Sequence, residues 1–350
     1  DDHGEGRAVS SRGASPARVP VVVLAGGFGG ARMSHGLVLA SAARAAQGEP
    51  ALDLSVIVNT GDDLALHGLA ISPDLDTVMY TLAGLADDEH GWGVREETWS
   101  TAAMLERYGA QTWFRLGDRD LATHLRRTEL LAAGNSLTEV TAELTTRLRV
   151  PARLLPMCDE PVRTELRTDD GWLEFQEYFV HRAQRDTVHE VRRVGIESAR
   201  PTEPVLQAIA GAQLIVVAPS NPFVSVGTIL AVPGMLAAMQ EAPAPVVAIS
   251  PVVGGKALRG PADRMLESLG GSASASGVVA HYRNAYPGLV DVFVLDRQDL
   301  AEAEALARDD HPDRVTVLDT VMPSDEDRQR LALELLAVAP PGKAYHRDLR

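Results

Sequence analysis

Along this chain the apolar residues fall into two kinds of run. Continuous β-branched stretches end in glycine, proline or polar clusters: VPVVVLAGG at 19–27, LSVIVNTGDD at 54–63, AQLIVVAPSNP at 212–222, PVVAISPVVGG at 245–255 and LVDVFVLD at 289–296. Runs of that length without alternation predict strands buried on both faces, which is the signature of a mostly parallel sheet covered by helices. Between them lie segments of helical spacing, so the pattern predicts an α/β protein with βαβ connections and ligands bound beyond the carboxyl ends of the strands.

The middle of the chain reads differently. GDRDLATHLRRTELLAAG at 117–134 has helical spacing, and Ser136 with Glu139 forms a capping box ahead of Leu137, Val140, Leu144 and Leu148. VRTELRT at 162–168 and WLEFQEYFV at 172–180 flank Asp169-Asp170-Gly171, a hairpin signal. These features predict a Rossmann-like core from 19–109 and 205–338, with a helical and β-hairpin insertion at 110–204 covering the active site. Residues 1–18 and 339–350 read as loose polar tails.

Composition narrows the function. With 350 residues and an apolar fraction of 45%, the chain can bury a substantial core. The formal charge of -15 argues against nucleic acid or an anionic membrane as partner, since both need clustered cations. Cys158 is the only cysteine, which excludes a disulfide framework and a cysteine-based zinc site; its apolar context, LLPMCDEPV, reads as a quiet buried thiol. No apolar signal-peptide core opens the sequence, and the uncharged stretch 220–240 is broken by Pro222, Pro233 and Gly234. A cytoplasmic protein is expected.

The strand ends carry the candidate chemistry. Gly26-Gly27-Phe28-Gly29-Gly30 links the first strand to a helix, where backbone N–H groups and the helix N-terminus suit a phosphate. Asp62, Asp63, Asp74 and Asp76 lie close together in NTGDDLALHGLAISPDLDT, with no Lys or Arg between Arg44 and Arg95. Carboxylates at that density repel one another unless a cation sits among them, and Mg²⁺ held by Asp62, Asp63 and Asp76 is the expectation. Asp74 reads as a helix-start aspartate and His67 as a turn residue. Pro219-Ser220-Asn221-Pro222 offers hydroxyl and amide groups suited to a nucleobase or ribose, and Gly254-Gly255-Lys256 puts a lysine on a glycine turn. Three strand ends with glycine, amide and cation chemistry suggest a nucleotide diphosphate bridged by metal.

The words GGFGGAR, NTGDD, HGLAISPDLDTVMYTLAG, FRLGDRDLATHLRRT, SLTEVT, EPVRTELRT, FQEYFV, PSNPFVSVGTILAVPG, SPVVGGKALRGPA and DTVM occur in this order. In them the chain resembles the 2-phospho-L-lactate transferase family, most of all its actinobacterial phosphoenolpyruvate-transferring branch in coenzyme F-420 biosynthesis. The resemblance runs from about 19 to 340. It implies Mg²⁺ dependence and two small-molecule substrates, the deazaflavin Fo and a guanosine diphosphate donor carrying phosphoenolpyruvate or phospholactate. The ribityl hydroxyl of Fo attacks the distal phosphorus and GMP leaves. Carried onto matching letters, it implies that Asp76 and Arg115 contact Fo, and that Gly26, Gly27, Gly29, Gly30, Ser220, Asn221, Pro222, Gly254, Gly255 and Lys256 hold the guanine nucleotide. Asp76 or Asp63 would accept the proton, and Lys256 would neutralise developing charge. A homodimer is expected. Phe28 stands where many relatives have a smaller residue. The alternative is a nucleotide-sugar binding regulatory protein of the gluconeogenesis-factor type, which shares the glycine loop and PSNP-like segment but not FRLGDRD with the following hairpin.

Overall fold

The computed structural model of the chain describes residues 18–88 and 91–342, so most of the expected N-terminal tail and residues 343–350 of the C-terminal one lie outside the described residues. The first apolar run forms β1 (Val19–Ala25), then α1 (Gly27–Ala46) and β2 (Leu52–Val58). The acidic stretch folds into a small hairpin, β3 (Leu64–Leu66) with β4 (Leu69–Ile71), and enters α2 (Pro73–Leu82). Helices α3 (Ser100–Arg107), α4 (Asp118–Ala132) and α5 (Leu137–Arg147) precede β5 (Arg153–Pro156). A separate antiparallel sheet follows, made of β6 (Arg163–Thr168), β7 (Gly171–Glu174) and β8 (Glu190–Val194). The chain returns through α6 (Glu203–Gly211), β9 (Leu214–Val217), α7 (Val226–Ala231), α8 (Met235–Glu241) and β10 (Val246–Ile249). After the short hairpin of β11 (Val252–Val253) and β12 (Lys256–Ala257) come α9 (Ala262–Ser268), α10 (Ala275–Ala285), β13 (Val292–Asp296), α11 (Leu300–Leu306), β14 (Arg314–Leu318) and α12 (Asp325–Val338).

The central sheet has seven strands in the order β14-β13-β10-β9-β1-β2-β5, every neighbouring pair parallel. Its strands are apolar on both faces, as the sequence pattern predicts. In β1, Val22 and Leu24 join one core with Val205, Ile209, Ile229 and Val279, while Val21, Val23 and Ala25 join another with Met33, Leu37, Val78 and Leu331. From β1 the chain moves outward to β2 and β5; from β9 it moves the other way. The order therefore reverses between β1 and β9, and the loops after those two strands open onto the crevice where such sheets bind ligands.

Two expectations change. The segment expected as one strand to residue 180 stops at Glu174, and Glu177–His181 forms a π-helical turn. Phe175 and Tyr178 are both buried, and Phe175 stacks on Phe179 at 5.3 Å; spacings of three and four residues belong to a helical turn, not to strand alternation. Residues 110–204 are also not wholly an insertion, because β5 within them pairs with β2. Its Leu154 and Leu155 are buried in the cores on opposite faces of the sheet, which draws that edge strand into the core. The capping box at Ser136 and Glu139 is present, and α4 covers nearly the expected residues.

Candidate active site

Asn59, at the end of β2, organises the acidic loop. Its Oδ1 accepts from the Gly61 N–H at 2.9 Å, which folds the turn back. Its Nδ2 donates to Asp62 Oδ2 at 3.1 Å and to Asp74 Oδ2 at 2.9 Å, so one amide joins two carboxylates. The other oxygen of Asp74 accepts from the Gly27 N–H at 2.8 Å. Asp74 thus reaches across to the first turn of α1, although the sequence pattern assigned it to the start of its own helix. The glycine loop is braced from the other side by Ser220, whose Oγ accepts from Gly26 N at 3.1 Å and donates to Gly26 O at 2.8 Å. Gly27 lies at φ +58, the left-handed region, and a Cβ at Gly29 would stand 2.1 Å from the Pro219 carbonyl oxygen. Only glycine allows the loops after β1 and β9 to approach this closely.

The surroundings of this cluster disfavour its anions. Asp62 and Asp74 are buried, and Asp63 is half-buried. Burial pushes the Asp62 carboxyl well above the usual carboxylate range, and the neighbouring Asp74 and Asp63 push it further. Burial likewise raises Asp74 to about 6 against the opposing bonds from Asn59 and Gly27. It raises Asp63 to about 7, partly offset by the hydrogen bond from Ser72 Oγ at 2.7 Å. Asp62 Oδ1 and Asp63 Oδ1 are buried with no hydrogen-bond partner among the described residues. Buried acceptors without donors are costly, and oxygens of this kind are the ligand type Mg²⁺ takes, while among the described residues only Asp76, Asp120 and His124 bring three ligand atoms within 4.8 Å of one another.

Asp76 turns to other partners, although its charge still acts on Asp63. It lies in α2 two residues after Asp74, but both its oxygens are held by the Arg127 guanidinium, Nη1 to Oδ2 at 3.0 Å and Nη2 to Oδ1. Arg127, His124, Asp120 and Tyr80 form the buried polar layer behind it. These partners and Asn59 escaped the sequence reading, although Asp120, His124 and Arg127 recur at intervals of four and three residues. That spacing puts three polar side chains on one face of α4 and is the signal that was available.

The remaining candidates are dispersed around the crevice. Asn221 Oδ1 accepts from the N–H groups of Phe223 and Val224 at 2.9 and 3.2 Å, so it shapes its own loop. Pro222 follows in the same loop. The N–H of Gly254 donates to Asp299 Oδ1 at 2.9 Å, Gly255 turns at φ +77, and Lys256 is exposed. Arg115 is exposed with its guanidinium carbon 4.2 Å from the ring centroid of Trp99. Phe28 lies between Arg32 and Arg259, whose guanidinium carbons are 3.9 and 4.0 Å from its centroid. His67 is an exposed turn residue at φ +53. Cys158 is buried, and burial, then Glu160, pushes its thiol up to about 12, leaving it a poor nucleophile.

A parallel sheet with a glycine turn running into a helix, and acidic side chains at its switch point, defines a protein of the class that holds phosphorylated ligands at the strand ends. The chain belongs to the 2-phospho-L-lactate transferase family: the family model described as 2-phospho-L-lactate transferase CofD matches residues 21–336. It is similar to the phosphoenolpyruvate transferase of Kitasatospora aureofaciens, 47% identical over 284 residues that cover 80% of this chain and 85% of the relative. The phosphoenolpyruvate transferase of Mycobacterium avium is 46% identical over 307 residues, 82% of this chain and 91% of the relative. A crystal structure of a UPF0052 family member from Bacillus halodurans shares the fold, with TM-score 0.59 and 16% identity over 92% of this chain and 100% of that one. Family membership makes the chain a transferase of a phosphate-bearing group, of the phosphoenolpyruvate or 2-phospholactate type. Among the described residues no helix is long and apolar enough to cross a membrane.

Proposed function

We propose that the chain transfers a phosphoenolpyruvyl or 2-phospholactyl group from a guanosine diphosphate donor to the ribityl hydroxyl of Fo, with release of GMP. The observation that carries this reading is the buried carboxylate cluster of Asp62, Asp63 and Asp74, with unpaired oxygens on Asp62 and Asp63, joined by one hydrogen bond to the phosphate-type turn at Gly27. Asp62, Asp63 and Asp74 would hold Mg²⁺, which supplies charge neutralisation on the pyrophosphate. Asp76 is engaged by Arg127 and joins this set less readily.

The chain's own groups account for the rest. The N-terminus of α1 receives the donor phosphates; Gly26, Gly29 and Gly30 let Ser225, Pro219 and Ala25 pack against the turn, and Gly27 bends it at φ +58. Ser220 fixes that turn, and Asn221 fixes the loop that flanks it. Lys256 and Arg115 are exposed cations, the first suited to the leaving phosphate and the second to the acceptor. Asp76 or Asp63 would take the proton from the attacking alcohol. Asp76, whose two oxygens Arg127 orients, suits a hydroxyl of Fo. No covalent intermediate is needed, because alignment and charge neutralisation supply most of the barrier reduction in phosphoryl transfer.

Incubation of the purified protein with Fo, Mg²⁺ and each synthetic guanosine donor, with products read by mass, tests this. The expected result is a phosphodiester of Fo with stoichiometric GMP. Absence of that product with both donors, while GDP binds, would overturn the acceptor assignment.

A further inference from the structure

Behind Asp76 lies a layer that neither the family nor its relatives' names assign. Asp76, Asp120 and His124 can bring ligand atoms within 4.8 Å of one another, a spacing that on its own suggests a second metal. Arg127 decides against it. Its guanidinium lies among these groups, hydrogen-bonded to both oxygens of Asp76 and 3.3 Å from His124 Nδ1 through Nη1. A guanidinium can only donate, so Nδ1 of His124 accepts and its proton rests on Nε2. Nε2 lies 3.2 Å from Asp120 Oδ2 without making a hydrogen bond, and Tyr80 donates to Asp120 Oδ1 at 2.7 Å.

Every member is nearly removed from water: Tyr80 and Arg127 are 2% exposed, His124 1%, Asp76 5% and Asp120 9%. A bidentate pair in such surroundings has a single geometry, and breaking it leaves an uncompensated charge. The residues come from two elements. Tyr80 and Asp76 belong to α2, which starts beside the acid cluster, and Asp120, His124 and Arg127 belong to α4.

We infer that Arg127 is a positioning residue for the acceptor subsite: it fixes both oxygens of Asp76 in one orientation, and Asp120, His124 and Tyr80 hold Arg127 in place. The inference deepens the reading above and rests on Asp76 contacting Fo. Arg127 itself touches no substrate. Its effect on Fo passes through Asp76; it also favours the anion of nearby Asp63, so the donor is measured separately.

The test is steady-state kinetics of Asp76→Asn, Arg127→Met, Arg127→Lys and the Asp76→Asn/Arg127→Met double variant, with Fo and donor varied separately and thermal melting recorded for each. The expected result is a KM for Fo raised about tenfold in Arg127→Met with donor KM within about twofold, and partial recovery in Arg127→Lys, which keeps the charge but not the fork. The double variant should be no worse than its worse parent, because the two residues act as one unit. If Asp76→Asn leaves the KM for Fo unchanged, the acceptor assignment of Asp76 fails. If Asp76→Asn raises it and Arg127→Met only lowers the melting temperature, or if the two effects multiply, the positioning role fails. Should Arg127→Met not fold, Arg127→Lys decides: a KM for Fo equal to that of the parent would overturn the inference.

Discussion

Replacing Asp63 by Asn probes the acid cluster through one titration. The Asp63 carboxyl sits at about 7 in the folded chain against an ordinary 3.8, because burial disfavours its anion. Between those values the folded chain keeps a proton that the unfolded chain has released. Stability from this group is therefore whole below about pH 4, falls as pH rises towards 7, and stays low above it. The full gap corresponds to about 4 kcal/mol at roughly 1.4 kcal/mol per pH unit. Asp63 keeps part of its surface in water, so about 2 kcal/mol is the figure to expect. For a chain of 350 residues an unfolding entropy of about 2 cal/mol/K per residue turns this into about 3 °C, of which about 2 °C falls between pH 5 and pH 8. Thermal melts of the parent and Asp63→Asn in chelator across that range read this group together with the push it gives Asp62, while titrations away from the cluster cancel in the difference. The variant should gain about 2 °C on the parent as pH rises. Parallel curves, or a parent that gains on the variant, would refute the burial argument. Mg²⁺ should in turn stabilise the parent more at pH 8 than at pH 5, because protons compete for the same oxygens.

Two further outcomes follow from close contacts in the glycine loop. Gly29→Ala places a methyl 2.1 Å from the Pro219 carbonyl oxygen, and with backbone on both sides the cost should be about 3 kcal/mol, read as a lower midpoint in urea. Phe28→Leu keeps an apolar side chain but removes the ring that Arg32 and Arg259 flank, so it should cost about 1 kcal/mol in urea unfolding; an unchanged midpoint would rule out the ring interaction.

Much of this architecture is legible in the residues. Each of the five apolar runs falls on a strand of the central sheet, because a run without polar interruption has no face to turn to water; the one at 245–255 also supplies β11 of the separate hairpin. The edge strands escaped: β5 sets only Leu154 and Leu155 between Arg153 and Pro156, and β14 has residues of intermediate burial and a polar Thr316. Within the site, the sequence placed the aspartates in one neighbourhood but could not apportion their partners. Asp74 and Asp76 are two apart on a helix, so they point in directions about 200° apart, one to Gly27 and Asn59 and the other to Arg127. Which of them meets the glycine loop depends on how α2 packs against α1, a tertiary fact with no local signature. Ser220 and Asn221 similarly invite a reading as ligand contacts, while their polar atoms are engaged by the loops they shape.

The bond from Gly27 to Asp74 sets up a competition. Gly27 presents its N–H in the first turn of α1, where a phosphate oxygen of the donor would be received, and in the free protein a carboxylate already accepts from it. An arriving pyrophosphate meets a negative charge at its own site. A cation drawn to Asp62, Asp63 and Asp74 removes that repulsion and recruits the same carboxylate, so donor binding should depend on the cation through Asp74. Calorimetric titration with GDP tests this without any turnover. In chelator, Asp74→Asn should bind GDP about tenfold more tightly than the parent, because the charge is gone while an acceptor for Asn59 remains. In Mg²⁺ the order should invert, since the variant has lost a ligand to the ion. If Asp74→Asn binds GDP no better than the parent in chelator, the carboxylate does not guard the phosphate position, and the coupling between the acid cluster and the glycine turn reduces to a structural hydrogen bond.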